Sequence, residues 1–267
     1  MDLTLLIGIL IGFAAIVGGF MIEGGAVTSL LLISPAIIVI GGTIGATLAS
    51  YPMNDIVKAM KALVYTFSKK SKGDPNAVIE KMLEISETCR KSGILSIEEE
   101  LKKPDYSEEE YLFFKEGLIL ILEGRTEEEI QYVLESDINA FTLKKQLEIA
   151  VFESAAGYAP TMGVLGTVMG LVTVLADMSD AKSLAASIAT AFVATLYGVG
   201  IANIIFLPIA TKLKSDLKRQ TIQKEMITDG ICMIAKGEAA RNIENKLSLY
   251  YQAFPGGDKK YREGIDN

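Results

Sequence analysis

Two threonines, Thr167 and Thr195, sit inside long apolar runs of this 267-residue chain. A hydroxyl in such a place has two uses. It bonds back to a carbonyl one turn earlier on its own helix, or it hydrates and hydrogen-bonds an ion passing a carboxylate. The second use needs a charge-bearing side chain, and the apolar runs hold no Asp, Glu, Lys, Arg or His at mid-length. Glu23 and Asp177 lie at outer edges and Glu153 at an inner edge. A chain that carries charge across a bilayer by itself keeps an ionisable side chain within it. If ions pass here, another chain supplies the carboxylate. On the residues alone, back-bonding is the simpler reading of both threonines.

Other residue types bear on the same question. Pro160 and Pro208 lie near one end of the two runs that hold the threonines. A proline lacks an N–H and crowds the carbonyl four residues back, here Ala156 and Ile204. Inside continuing helices the two form a paired hinge; at a fresh helix start Pro160 is only a first-turn residue. In "CRKSGILSIEEEL", Arg90 falls at a helix C-terminus and Glu98 in the first turn of the next helix. Both suit the helix dipoles by about 0.3–1 kcal/mol, and as solvated caps they need no further role. Cys89 and Cys232 lie in polar segments and are expected as reduced thiols without a disulfide. Arg90 and Lys91 follow Cys89 and would lower its pKa, although a buried structural thiol is the simpler reading. With no histidine and no cysteine pair at ligand spacing, a transition-metal site has no support.

The elements that must position these residues are set by hydropathy. Half of the chain is apolar, too much for an ordinary water-soluble domain of this length. Four runs, about 3–22, 29–51, 157–177 and 183–211, each reach the ~20 residues that cross a bilayer as a helix. The first is not read as a signal peptide, because Met1-Asp2 carries no positive charge ahead of it. Of the 26 Lys and Arg residues, all but Lys182 fall in 52–156 or after 211. The positive-inside rule then places both polar segments and both termini in the cytoplasm. The net charge of −7 argues against nucleic acid as a partner.

The polar segment 52–156 reads as helices. Asp74 as N-cap, Pro75 at N1 and Gly93 just past the end delimit one of them. Three capping boxes follow, pairing Ser96 with Glu99, Ser107 with Glu110 and Thr126 with Glu129. The last opens a helix expected to run on into the third span, and the fourth span is expected to continue as a helix past residue 211. The fold class is therefore all-α: a polytopic membrane protein with four transmembrane helices and a helical cytoplasmic domain. The expected division is 1–51 for spans one and two, 52–156 for the cytoplasmic domain, 157–211 for spans three and four, and 212–267 for a C-terminal helix and tail. Small residues mark the spans: Gly163, Gly166 and Gly170 along the third, with the pairs Gly8/Gly12 and Gly41/Gly45 earlier. They permit close approach in lipid, either among the chain's own helices or toward a partner helix.

Four stretches, "GGTIGATLASYP", "CRKSGILSIEEE", "YAPTMGVLGTVMGLV" and "FVATLYGVGIANIIFLPIATKLK", together resemble the MotA family of flagellar motor stator proteins. The likeness covers nearly the whole chain. The motif after Pro160 is shared with TolQ and ExbB, energisers of outer-membrane work. The first two spans and the Arg90…Glu98 spacing favour MotA. The resemblance implies a homopentamer in the bacterial inner membrane around a MotB dimer, whose membrane aspartate is the missing acid. It implies that Arg90 and Glu98 meet opposite charges on the rotor switch protein FliG. Pro160 and Pro208 match membrane prolines that couple ion flow to movement, and Thr167 and Thr195 match hydroxyls facing the partner's aspartate. Sodium-type relatives tend to carry a threonine where Ala194 stands, which favours protons as the transported ion. No cofactor and no enzymatic activity are expected. A self-sufficient channel and a passive membrane scaffold are the remaining alternatives.

Overall fold

The computed structural model describes residues 4–68, 75–102, 111–176 and 181–250. Every regular element among them is helical. The first span is α1, Thr4–Ile22. Gly24, in the left-handed region at φ 87°, turns the chain into a short 3-10 helix, Val27–Leu30. The second span is built from α2 (Ile33–Ala36), a π-turn (Ile37–Gly41) and α3 (Gly42–Ser50). After Tyr51-Pro52 the chain re-enters a helix as α4, Met53–Ser68. Four helical stretches are long and apolar enough to cross a membrane, in the order the hydropathy predicts.

Then come α5 (Pro75–Ser92), α6 (Ser96–Glu100) and α7 (Leu112–Leu122). Next, α8 runs unbroken over 50 residues, Glu127–Ala176, with Pro160 inside it. The expected box at its start is formed. Thr126 N–H donates to Glu129 Oε2 at 3.1 Å, and Glu129 N–H donates to Thr126 Oγ1 at 3.3 Å. The box expected at Ser96 is not formed. Its hydroxyl turns back to the Gly93 carbonyl at 2.7 Å, so Ser96 is the first residue of α6 and not its cap. Asp74 and the Ser107–Glu110 box lie outside the described residues.

The fourth span is α9 (Ala181–Ile201), a π-turn (Ala202–Phe206) and the start of α10 (Leu207–Ala235). The helix does not continue to the end of the polar segment as expected. Gly237 at φ 73° closes α10 with bonds from Gly237 N–H to Ile234 O and from Glu238 N–H to Met233 O, a Schellman-type ending. A separate helix, α11 (Ala240–Ser248), follows.

The chain forms two compact units, one from Met1–Lys70 and Lys145–Ser215, the other from Ser71–Lys144 and Asp216–Asn267. Thus α4 belongs with the spans, and both α8 and α10 pass from one unit into the other. The second unit has a conventional apolar core in which Phe114, Leu118, Ile130, Leu134, Met226, Ile231 and Ile243 are fully buried. Lys224 ties α10 to α8, donating to Asp137 at 2.8 Å while its ammonium lies 3.8 Å from the centre of the Phe113 ring. Cys232 belongs to this core, and burial, with Glu127 nearby, pushes its thiol up to about 11. Burial also raises the Cys89 thiol, outweighing a hydrogen bond from Ser96. The activation by Arg90 and Lys91 weighed from sequence is therefore absent.

Candidate functional site

Glycine sets the distance between α8 and α9. A Cβ on Gly163 would lie 2.9 Å from the Ala194 carbonyl oxygen, one on Gly166 2.7 Å from the Ala194 methyl, and one on Gly170 2.8 Å from the Ala191 methyl. From the other side, a Cβ on Gly198 would strike the Ala159 carbonyl and the Gly163 Cα. These are contacts that no side chain larger than hydrogen permits, and they pack the chain's own third and fourth spans. Ala194 is buried at this seam, 1% exposed. Of the earlier pairs, Gly12 packs on Ile204, while Gly8, Gly41 and Gly45 face open space in the single chain.

The close approach brings the two threonines together. Thr167 Oγ1 lies 2.5 Å from Thr195 Oγ1, 3.1 Å from Gly163 O on its own helix and 3.0 Å from Ala191 O on α9. The back-bond expected from sequence is present, and a bond across the seam is added to it. The Thr167 proton serves one of the two carbonyls while Thr195 donates to Thr167, or Thr167 donates to Thr195. In the first arrangement Thr195 keeps free lone pairs; in the second it keeps a free proton. The half-buried pair can thus accept from a protonated acid or donate to an ionised one.

The prolines differ in how the backbone absorbs them. Pro160 is interior to α8, so the first-turn reading is excluded. Pro208 follows the π-turn Ala202–Phe206, where Leu207 N–H reaches back five residues to Ala202 O. A proline at 208 cannot supply the N–H that Ile204 O expects. The widened turn just ahead of it re-registers the bonding locally, a device that recurs at functional sites.

Polar side chains lock the spans around this seam. Tyr51 Oη lies 2.7 Å from Ser154 Oγ and donates to Ala150 O at 3.0 Å, and Ser50 Oγ lies 2.8 Å from Tyr158 Oη. The end of the second span is thereby fixed to α8 within about three turns of Pro160. Tyr197, two residues past Thr195, donates to Leu30 O and accepts from Leu32 N–H at 3.2 Å. It satisfies backbone groups at the break between the 3-10 helix that ends at Leu30 and α2 that starts at Ile33, which lipid would leave unpaired. The edge acid Glu153 is ion-paired with Lys214.

The second candidate centre lies in the other unit. Gly93, at φ 82°, ends α5 with its N–H on Cys89 O at 2.9 Å. Arg90 is exposed in the last turn of α5. Among the described residues it makes no ion pair. Glu98 is exposed on α6 and, among the described residues, is ion-paired with Lys102 one turn on, at 3.4 Å. Buried Ile97 and the ion pair of Lys81 with Glu100 at 3.0 Å hold α6 in place.

Comparison with known proteins places the chain in one family. Residues 6–93 match the Motility protein A N-terminal family, and residues 106–226 match the MotA/TolQ/ExbB proton channel family. Motility protein A of Cereibacter sphaeroides is 36% identical, covering 92% of this chain and 94% of that protein. Motility protein A of Bacillus subtilis is 31% identical over 95% and 92%. The chain belongs to the MotA family. Its fold agrees: a chain of the flagellar MotAB stator complex from Bacillus subtilis superposes with a TM-score of 0.86 at 29% identity, covering 98% of this chain and 99% of that one.

Of the residues singled out from sequence in this MotA-family chain, the fold brings Thr167, Thr195 and Ala194 together at the α8–α9 seam, while Pro160 and Pro208 lie elsewhere along α8 and α10. Sequence reasoning missed Tyr51, Ser154, Tyr158 and Tyr197. Their signal was present, since a tyrosine hydroxyl or a serine near a span needs a partner, but the partner's identity is tertiary. The π-turns left no sequence signal beyond the nearby Pro35 and Pro208.

Proposed function

We propose that this chain is a flagellar stator subunit of the bacterial inner membrane that, with a MotB-type partner, converts ion flow into torque on the rotor. The observation that carries it is the hydroxyl pair of Thr167 and Thr195 on two glycine-packed spans that contain no carboxylate of their own. Such a seam serves an acid brought by another chain. The family relationship, and a fold shared with a MotAB stator subunit, support a MotB-type partner, and its membrane aspartate is the acid this reading assigns to the seam. The match of residues 6–93 to the motility N-terminal family favours a stator over a TolQ/ExbB-like energiser.

In this reading five copies surround two partner helices, and both termini face the cytoplasm. Protonation of the partner acid removes a buried charge and changes the position it prefers among the surrounding seams. One elementary charge crossing ~100 mV releases about 2.3 kcal/mol, enough to bias a collar whose walls are glycine and alanine. Arg90 and Glu98 meet opposite charges on the rotor in succession. Exposed pairs are weak, ~0.2–1 kcal/mol each, and a stepping contact has to release.

The test is complementation. Co-expressed with its MotB-type partner in a stator-deleted host, the chain restores rotation, and replacing the partner's membrane aspartate by asparagine abolishes it. Cation conduction by the purified chain in liposomes without any partner would overturn the reading.

A further inference from the structure

The turn between Arg90 and Glu98 carries two large apolar side chains that the chain leaves in water. Leu95 is 78% exposed and Ile94 47%. Their exposure is held in place by the local backbone. Gly93 takes the left-handed conformation at φ 82°. Ser96 N–H bonds to Gly93 O at 3.1 Å, Ile97 N–H to Ile94 O at 3.0 Å and Glu98 N–H to Leu95 O at 3.1 Å. The Ser96 hydroxyl adds a second bond to Gly93 O. Ile97, 1% exposed, anchors the turn from below, and the Lys81–Glu100 pair fixes the end of α6. Ile94 and Leu95 therefore form a rigid apolar ridge with a base on one side and an acid on the other.

We infer that Ile94 and Leu95 form an apolar contact with the rotor component that Arg90 and Glu98 address, which presents an apolar groove between an acidic and a basic side chain. The inference rests on the rotor-facing reading of those two charges. It supplies what they lack. Exposed charge pairs set register and encounter rate more than affinity, and they fade with salt. Burying a leucine or isoleucine adds about tenfold or more in affinity, independent of salt. The charges guide each engagement and the ridge gives it grip, while two side chains remain few enough to let go.

The test uses the intact stator complex in nanodiscs, binding the purified rotor switch protein at about 0.15 M and about 1 M salt, where the Debye length falls from ~8 to ~3 Å. The double variant Ile94→Ser, Leu95→Ser should weaken binding about tenfold or more at both salt concentrations. Arg90→Glu should weaken it only at the lower one, and Leu95→Met should retain wild-type binding. In motile cells the same serine variant should lower the torque per stator at stall, which covers binding too weak to read in solution. Wild-type binding and torque in the serine variant, with Arg90→Glu impaired, would overturn the ridge and leave the rotor reading standing. No effect of Arg90→Glu in either measurement would overturn both. A changed subunit count in the serine variant would assign the ridge to a second copy of the chain and likewise overturn it. Because both side chains point into water, thermal unfolding should be unchanged, which separates lost grip from lost fold.

Discussion

At the scale of single residues, the informative feature is a hydroxyl with capacity to spare. Thr167 has carbonyls of both helices within reach of its one proton, whereas the Thr195 hydroxyl has Thr167 as its one hydrogen-bond partner among the described residues. Thr195→Val should therefore abolish rotation while leaving membrane insertion and partner binding intact, and Thr195→Ser should retain most of the swimming speed. The stability cost of the valine should stay near 0.6 kcal/mol and below about 1.7 kcal/mol, the range for interhelical bonds in lipid. Motility tracking beside co-purification of the partner checks both. Cys232 offers a pH prediction. With its thiol pushed up to about 11, only about one in a thousand is ionised at pH 8. Maleimide should label it slowly in the folded protein and promptly after denaturation. The sign for stability is fixed as well. Below the ordinary thiol value near 9, folded and unfolded chains both keep the proton. Between about 9 and 11 only the unfolded chain loses it, so stability falls as pH rises through that window.

Helices fix where those residues meet. The α8–α9 seam is closed by glycines, of which Gly163 and Gly198 face backbone, and backbone cannot step aside. Gly163→Ala drives a methyl to 2.9 Å from the Ala194 carbonyl and should cost about 1–3 kcal/mol through overpacking, moving Thr167 away from Thr195. Gly8→Ala meets nothing within 4 Å in the single chain and should leave its fold unchanged. Thermal unfolding of the two variants, compared side by side, decides whether the seam or mere helix propensity governs. The π-turn before Pro208 is an element-scale consequence of one missing N–H. Pro208→Ala restores that donor, so the turn should revert toward ordinary α-helical bonding. Stability should hold or rise while rotation falls. Amide exchange across Ala202–Phe206, measured beside swimming speed, reads both changes.

Across the whole molecule, two centres lie in two units, and α8 and α10 are the covalent helical links between them. The Thr167–Thr195 pair belongs to one unit and Arg90 with Glu98 to the other. Each of those helices carries one of the two membrane prolines. Ala194 stands where sodium-type relatives tend to carry a threonine, and from that resemblance we propose protons as the driving ion. Swimming should stop with a protonophore and persist without sodium. Swimming that collapses on sodium withdrawal and survives the protonophore would reverse the assignment.

How much of this was legible in the sequence depended on the range of the interaction. Spans, their order, the capping box at Thr126 and the left-handed Gly93 follow from local periodicity and backbone sterics, which a few neighbouring residues determine. The paired prolines and the absence of a membrane carboxylate were equally plain, because they are properties of composition along one helix. The ending of α10 at Gly237 was local too, yet it was passed over, since an isolated glycine in a helical pattern is often tolerated. Only the tertiary structure decided that Thr167 and Thr195 share a hydrogen bond, that Tyr197 closes the break at Leu30–Leu32, and that Ile94 and Leu95 stay outside the core. Each depends on which helix faces which at a separation of a few ångströms, and in lipid that choice rests on backbone fit and on which polar atom finds a partner. Neither is written in the periodicity of any one segment.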